Sequence, residues 1–379
     1  VAEAAWLDHG SSPVAFLDPW LKSIIPSPLT QGRRSREAPA NLRVRLANLP
    51  RSRFGRRGND IRERTTMASA KRAGYKLATY KSSDGPRAGL IIGEEVFDAA
   101  KLTGKPAYAT VVGILEDWKS AEGALKLAVA KAAKSKATRL PLKKAKLLAP
   151  VRFPSAIYCA GANYADHAAE MAAREGRPPP VDPHTEGLKA WHFLKAPHAI
   201  TDPGAPVKIS GYAKQMDWEV ELAAVIGRVA ADVPQSKALN YVAGYTIAND
   251  LSARDRGRRA SVPDASPFKW DWTKHKTFNG SCPLGPWIVP ASDIGDPQKL
   301  GLKLWVNGVL KQDSNTSDMI FNLAEQIEQL TAGMTLYPGD IILTGTPAGV
   351  GAGRGEFLKA GDVVKLWVEN IGEIENKMV

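Results

Sequence analysis

The chain has 379 residues, enough for two or more domains, and its 44% apolar and 24% charged content is ordinary for a globular protein. Its net charge of +12 is uneven: residues 1–66 carry +6, residues 67–148 carry +9 and residues 149–379 carry −3. The basic excess lies in the N-terminal third and no nucleic-acid-binding motif appears, while the longest apolar runs, such as Leu222 to Ile226, are strand-sized, which argues against a nucleic-acid binder and a membrane-spanning protein.

In chain order, residues 1–66 come first, with eleven of their twelve basic residues Arg, six prolines and no sustained period of 3.6 or 2. Met67-Ala-Ser-Ala then reads as a natural start, so residues 1–66 are expected to be an unfolded upstream extension. The alternative, an organelle transit peptide, is opposed by Glu3, Asp8 and Asp18. Residues 67–148 are expected to form a small β-rich domain. Strands are predicted at Tyr75–Tyr80, Gly89–Ile92 and Val96–Asp98, and helix within Asp117–Thr138. Over residues 149–379, strands are predicted at Ala156–Ala160, Trp218–Gly227, Tyr241–Ala248, Trp287–Val289, Ile341–Thr344 and Val363–Val368. Asn307-Gly308 between Leu302–Val306 and Val309–Gln312 is a type I′ hairpin signal. An amphipathic helix is predicted from Asp318 to Thr331, with Ser317 as N-cap and Gly333 as stop. Strands dominate and do not alternate regularly with helices, so the expected class is mixed α+β, β-rich and largely antiparallel. Cys159 and Cys282 have no metal-ligand spacing and fit two buried free thiols in a reducing compartment, for which the cytoplasm is the expectation.

Chemistry concentrates on carboxylates. Alternation along a strand puts Glu219 and Glu221 on one face, with Trp218, Val220 and Leu222 on the other. Asp250 closes another strand-like run. Three acids held together repel unless a cation or proton lies between them, and an all-oxygen set suits Mg²⁺, Mn²⁺ or Ca²⁺ rather than zinc. A solvated edge face is the plain alternative for Glu-x-Glu alone. On the helix opening at Asn163, His167 and Glu170 are three apart and share a face, the spacing for a carboxylate-oriented base. The glycines from Gly345 to Gly355 lack the Gly-Lys-Ser/Thr of a phosphate loop and the strand–helix setting of a dinucleotide site.

The order of these motifs is more specific than any one of them. Gly161-x-Asn163-Tyr164-x-x-His167-x-x-Glu170 is followed by Phe193-Leu-Lys195, Asp217-x-Glu219-x-Glu221, Asn249-Asp250-Leu-Ser-Ala-Arg254-Asp255, Lys276-Thr-Phe278 and Leu343-Thr-Gly345-Thr346-Pro-x-Gly349-Val-Gly351. The set closely resembles the fumarylacetoacetate hydrolase family over roughly residues 75–379. The resemblance implies a β-sandwich-roll catalytic domain at 149–379, a small N-terminal β-rich domain, and assembly as a homodimer. By motif, Glu219, Glu221 and Asp250 are expected to bind Mg²⁺ or Mn²⁺, and His167, oriented by Glu170, to activate water. Lys276 is expected to stabilise developing negative charge, and Thr346, Lys195 and Arg254 to serve substrate binding. The implied activity is hydrolysis of a carbon–carbon bond in an acylpyruvate or fumarylpyruvate-like 2,4-dioxo acid. An isomerase, hydratase or decarboxylase acting on a related 2-oxo acid is the alternative. Two departures bear on the substrate. Gly257 stands where many members have Gln, within the basic run Arg256–Arg259, and the segment Arg174–Ala190 is longer than usual.

Overall fold

A computed structural model describes residues 74–379, apart from Thr138 and Ser210. The extension expected over 1–66 lies outside the described residues. The first described strands are β1 (Lys76–Ser82), β2 (Gly85–Ile92) and β3 (Glu95–Asp98), an antiparallel meander on which β4 (Arg139–Pro141) and β5 (Leu147–Leu148) also pair. Helices Val111–Glu116 and Trp118–Lys131 lie between them, the first capped by the Thr110 hydroxyl. The second ends before the predicted Thr138, in a 3₁₀ turn at Ala132–Lys134.

Next come β6 (Ile157–Ala160), β7 (His192–Lys195), β8 (Ile200–Thr201), β9 (Met216–Asp217), β10 (Val220–Ile226), β11 (Val242–Asn249), β12 (Ser252–Ala253) and β13 (Cys282–Pro290). The chain continues through β14 (Gly301–Val306), β15 (Val309–Asn315), β16 (Ile341–Leu343), β17 (Val363–Val368) and β18 (Gly372–Lys377). The large sheet runs β4-β3-β2-β1-β13-β11-β10-β16-β6-β7, with β5 on β1 and β8 on β13; β15-β14-β17-β18 form a second sheet. Most ladders are antiparallel, while β16–β6 and β13–β8 are parallel, so the fold is mixed and β-rich as expected. The pairing of Leu77 with Ile288 makes the N-terminal meander continuous with the central strands. Among the described residues no helix is long and apolar enough to cross a membrane.

Two hydrophobic clusters flank β10, and its side-chain alternation decides which residue enters which. Val220, Leu222, Ala224 and Ile226 pack with Leu302, Leu366 and other residues of the second sheet. Ala223 and Val225 pack on the other side with Leu77, Leu125 and Ile288. Glu219 and Glu221 share the parity of this second face, at the end of β10 where the apolar packing stops. The predicted hairpin forms as expected: Val306 pairs with Val309, and Asn307 and Gly308 hold φ of 52° and 77°.

The predicted helix start is corrected. Ser317 belongs to a 3₁₀ turn, Thr316–Asp318, and the helix runs Leu323–Thr331. Asn322 caps it in a capping box with Glu325, a stronger signal than Ser317. The side chain of Asn163 also binds the backbone N–H and C=O of Phe321, which ties the residue just before the cap to another element.

Candidate functional site

The site begins where β10 meets β11. Asn249 Oδ1 accepts the Glu219 N–H at 3.0 Å, and the Asp250 N–H donates to the Glu219 carbonyl at 2.9 Å. These bonds place Glu219, Glu221 and Asp250, all buried, with one oxygen from each within 4.8 Å of the others. Cations surround two of the three. Lys276 Nζ lies 2.7 Å from Glu219 Oε2 and 2.6 Å from Asp250 Oδ2. Lys195 Nζ sits 2.8 Å from Asp250 Oδ1, and Arg254 Nη2 2.5 Å from Glu219 Oε1. Burial alone would raise Asp250, but the Lys195 and Lys276 ammoniums bring it down to about 2. Glu221 is different. Its carboxylate accepts from the Gly345 N–H at 2.6 Å and makes no ion pair among the described residues. Burial, then the charges of Asp250 and Glu219, push its pKa well up.

This donor set fits a hard divalent cation. It is all oxygen, it carries an unpaired carboxylate, and Asp250 Oδ1 is buried without an aligned hydrogen bond although Lys195 is close. Lys276 is held above its ordinary range, because Asp250 and Glu219 outweigh the burial that would lower it. It is therefore a fixed cation and cannot serve as a base near neutral pH.

The helix Ala165–Arg174 supplies the second group. His167 Nδ1 faces Glu170 Oε2 at 3.6 Å, an ion-pair separation longer than a hydrogen bond. Both oxygens of Glu170 lie 3.1 Å from the Gly349 N–H. Burial opposes the Glu170 charge, and His167 and Gly349 outweigh it, so the carboxyl stays below its ordinary value. Gly353 is required here, since a Cβ would stand 2.3 Å from Glu170 Cδ.

A cavity of about 190 Å³ joins these parts: His167, Glu219, Glu221, Arg254, Lys276 and Thr346 line it, with Met171, Trp191, Phe193 and Trp272 among the other lining residues. Glu170 stands behind His167 rather than on the wall. Lys195 is also off the wall. It is 1% exposed, and its ammonium, besides meeting Asp250, binds the carbonyls of Leu251, Lys276 and Ser281. Its contacts hold the carboxylates from beneath. A larger cavity of about 550 Å³, between Thr79 and Phe153, is lined by no carboxylate and no imidazole.

Three contributions were not legible in the sequence. Asp217 accepts from the Gly351 and Ala352 N–H groups at 2.6 and 2.9 Å and from Arg254 Nε at 2.9 Å, tying the glycine-rich turn to the carboxylates. Gln312 accepts the Val220 N–H and donates to Thr346 Oγ1 at 2.9 Å, so the Thr346 hydroxyl has its own hydrogen to give elsewhere. The aromatic wall is the third, although Phe193 stands in the Phe193-Leu-Lys195 motif and Trp272 four before Lys276. As for the two departures, Gly257 is buried against His275, where a Cβ would meet the ring at 2.8 Å, so this position offers the site no side chain. Arg256, Arg258 and Arg259 are tied to Tyr212, Asp264 and Asp271. In the long segment, His184 bridges Asp182 at 2.9 Å and Glu325 at 3.1 Å.

A mixed β-roll with a buried carboxylate triad facing a His–Glu helix pair is the frame of an enzyme rather than of a binding module. The chain belongs to the fumarylacetoacetate hydrolase family, whose C-terminal domain description (Fumarylacetoacetate (FAA) hydrolase C-terminal) matches residues 156–379. A mitochondrial oxaloacetate tautomerase of Xenopus laevis is 37% identical over 308 residues, 80% of this chain and 90% of the relative. The crystal structure of maleylpyruvate hydrolase from Sphingobium sp. SYK-6, in complex with manganese(II) and pyruvate, is similar at a TM-score of 0.62 and 30% identity, over 80% of this chain and 98% of that one. A 5-carboxymethyl-2-hydroxymuconate delta-isomerase from Mycobacterium smegmatis is similar at a TM-score of 0.58 and 31% identity, over 80% and 99%. The family thus contains hydrolases, isomerases and tautomerases.

Proposed function

We propose that this protein is a divalent-metal-dependent hydrolase that cleaves a carbon–carbon bond in an acylpyruvate-like 2,4-dioxo acid. The observation that carries the reading is the meeting, in one cavity, of the carboxylates Glu219 and Glu221, backed by Asp250, with the imidazole of His167. Glu219, Glu221 and Asp250 would hold Mg²⁺ or Mn²⁺. When bound, such an ion supplies Lewis-acid stabilisation of negative charge on the 2-oxo oxygen. The remaining work falls to the protein. His167, backed by Glu170, takes a proton from water, and the water oxygen bonds to the C4 carbonyl carbon. The C3–C4 bond then breaks, its electron pair forming the enolate of pyruvate, and C3 takes up a proton. One water is consumed, and a carboxylic acid and pyruvate are released. Lys276 brings an ammonium beside the developing charge, where fixed charges contribute most. The Thr346 hydroxyl, its oxygen already accepting from Gln312, donates to the substrate carboxylate.

A second reading, keto–enol tautomerisation of a 2-oxo diacid, is favoured by the likeness to the Xenopus laevis tautomerase. The same base would move a proton between C3 and the 2-oxo oxygen without attack by water. Enol absorbance and pyruvate release from an acylpyruvate panel, with Mg²⁺ and with EDTA, in wild type and His167→Ala, separate the two. Hydrolysis predicts metal-dependent pyruvate release that the substitution lowers by about 10²- to 10⁴-fold. Enol decay with no pyruvate from any member would replace it with tautomerisation.

A further inference from the structure

The cavity is lined by two kinds of group. Glu219, Glu221, Arg254, Lys276 and Thr346 are polar, and Trp191, Phe193 and Trp272 bring rings, the Lys276 ammonium lying over the Phe193 ring at 5.1 Å where the two meet. We propose that these rings form a slot for a flat aromatic acyl group, so that the substrate class is the aryl-bearing 2,4-dioxo acids. The inference rests on the hydrolase reading above and narrows it.

The slot has a defined shape. Phe193 and Trp272 are stacked with centroids 5.3 Å apart and planes 21° apart, and Trp191 stands edge-on to Trp272 at 5.4 Å and 69°. Their planes are held from behind. Trp270 stacks on Trp272 at 5.9 Å, and the buried ring of His275 stacks on it at 5.4 Å. Trp191 lies directly on the backbone of Gly161, where a Cβ would stand 2.0 Å from the indole. Walls fixed in this way receive a planar group with little reorganisation. Trp191 remains 45% and Trp272 38% exposed, so indole surface stays in water until something flat covers it.

The polar side argues the same way. The two cations on the cavity wall are both paired internally: Arg254 with Asp217 and Glu219, and Lys276 with Glu219 and Asp250. The carboxylate of the 2-oxo acid end is served by the bound cation and Thr346. A second carboxylate at the acyl end would meet the rings and no unpaired cation among the lining residues. A phenyl group there covers the ring surface that Trp191 and Trp272 leave in water, and hydrolysis releases an arenecarboxylate and pyruvate.

The test uses the full chain loaded with Mg²⁺ and compares 4-phenyl-2,4-dioxobutanoate with acetylpyruvate and with a 2,4-dioxo diacid. We expect kcat/KM for the phenyl compound to exceed both by at least about tenfold, as contacts with two rings provide. The preference should fall to within about twofold in Trp272→Leu and survive in Trp272→Phe, with Trp191→Leu as an independent variant should Trp272→Leu not fold. Equal or lower kcat/KM for the phenyl compound overturns the proposal. If no dioxo acid is turned over, the hydrolase reading fails and the slot is judged by binding alone, through quenching of tryptophan fluorescence. Tighter binding of 2-oxo-4-phenylbutanoate than of 2-oxobutanoate, lost in the Leu variants, supports it; equal affinities overturn it.

Discussion

Glu221 is the residue where folding and function pull hardest against each other. It is buried beside two other carboxylates, and Gly345 gives it one backbone donor and no counter-charge. Its raised pKa means that its own contribution to the stability of the metal-free protein is fully present below the unfolded carboxyl value of about 4.3 and is lost as pH rises through the folded value. Asp250 has the opposite sign: held near 2, it contributes stability above about 4 that is lost as pH falls. Glu221→Gln keeps the shape and removes the repulsion. We expect the metal-free variant to melt higher, by about 2–4 °C for each kcal/mol relieved. Its Mn²⁺ affinity, measured by calorimetry, should drop by at least about a hundredfold. An unchanged melting temperature without metal would show that the Glu221 charge is already neutralised. The Glu219–Glu221 pair was readable from spacing because two acids at i and i+2 must share a strand face. Gln312 was not, since nothing in Lys311-Gln312-Asp313 reveals that its amide reaches from β15 to Val220 and Thr346.

At the level of elements, alternation along strands and turn chemistry carried the sequence reading furthest. β10 and the Asn307-Gly308 hairpin formed as their patterns require. The helix at 323–331 started late because Asn322 and Glu325 cap each other and Asn163 reaches in from another element, information partly local and partly distant. The long segment before β7 is fastened by His184, whose pKa is raised by hydrogen bonds to Asp182 and Glu325. Glu325 also closes the capping box, so one carboxylate serves both elements. The fastening is complete below the ordinary His value of about 6.5 and is lost as pH rises through the raised value. Between pH 7 and 9, amides of residues 177–190 should therefore lose about two- to fivefold of their exchange protection, after correction for intrinsic rates. His184→Gln should show no such pH dependence. Unchanged protection in wild type would mean that the segment is held by other contacts.

For the whole molecule, the proposed metal site would tie ion binding to stability. Glu219 and Glu221 sit at the start of β10 and Asp250 just past the end of β11, in the middle of a sheet that reaches from β4 to β7. Mn²⁺ at a hundred times its Kd should add about 2.7 kcal/mol to unfolding and raise Tm by roughly 5–10 °C, reversed by EDTA. Among the described residues, those lining the cavity fall within 160–346. A chain beginning at Met67 should therefore melt within about 1 °C of the full chain and show the same Mn²⁺ shift. Loss of either in the shorter chain would assign residues 1–66 a part in the fold.

From its residues alone, the sequence determined the β-rich class, the hairpin, the shared face of Glu219 and Glu221, and the pairing of His167 with Glu170. Each of these depends on neighbours within a few positions, where strand and helix periods set the geometry. The ordered motifs then made the family recognisable. Only the tertiary structure decided that Lys195 lies beneath the carboxylates, that Lys276 bridges two of them, and that Asp217 and Gln312 brace the turn holding Thr346. It alone brought Trp191, Phe193 and Trp272 together as a wall. The polar contacts among these join residues 26 to 135 positions apart, and their partners are chosen by packing between strands, which no local period encodes.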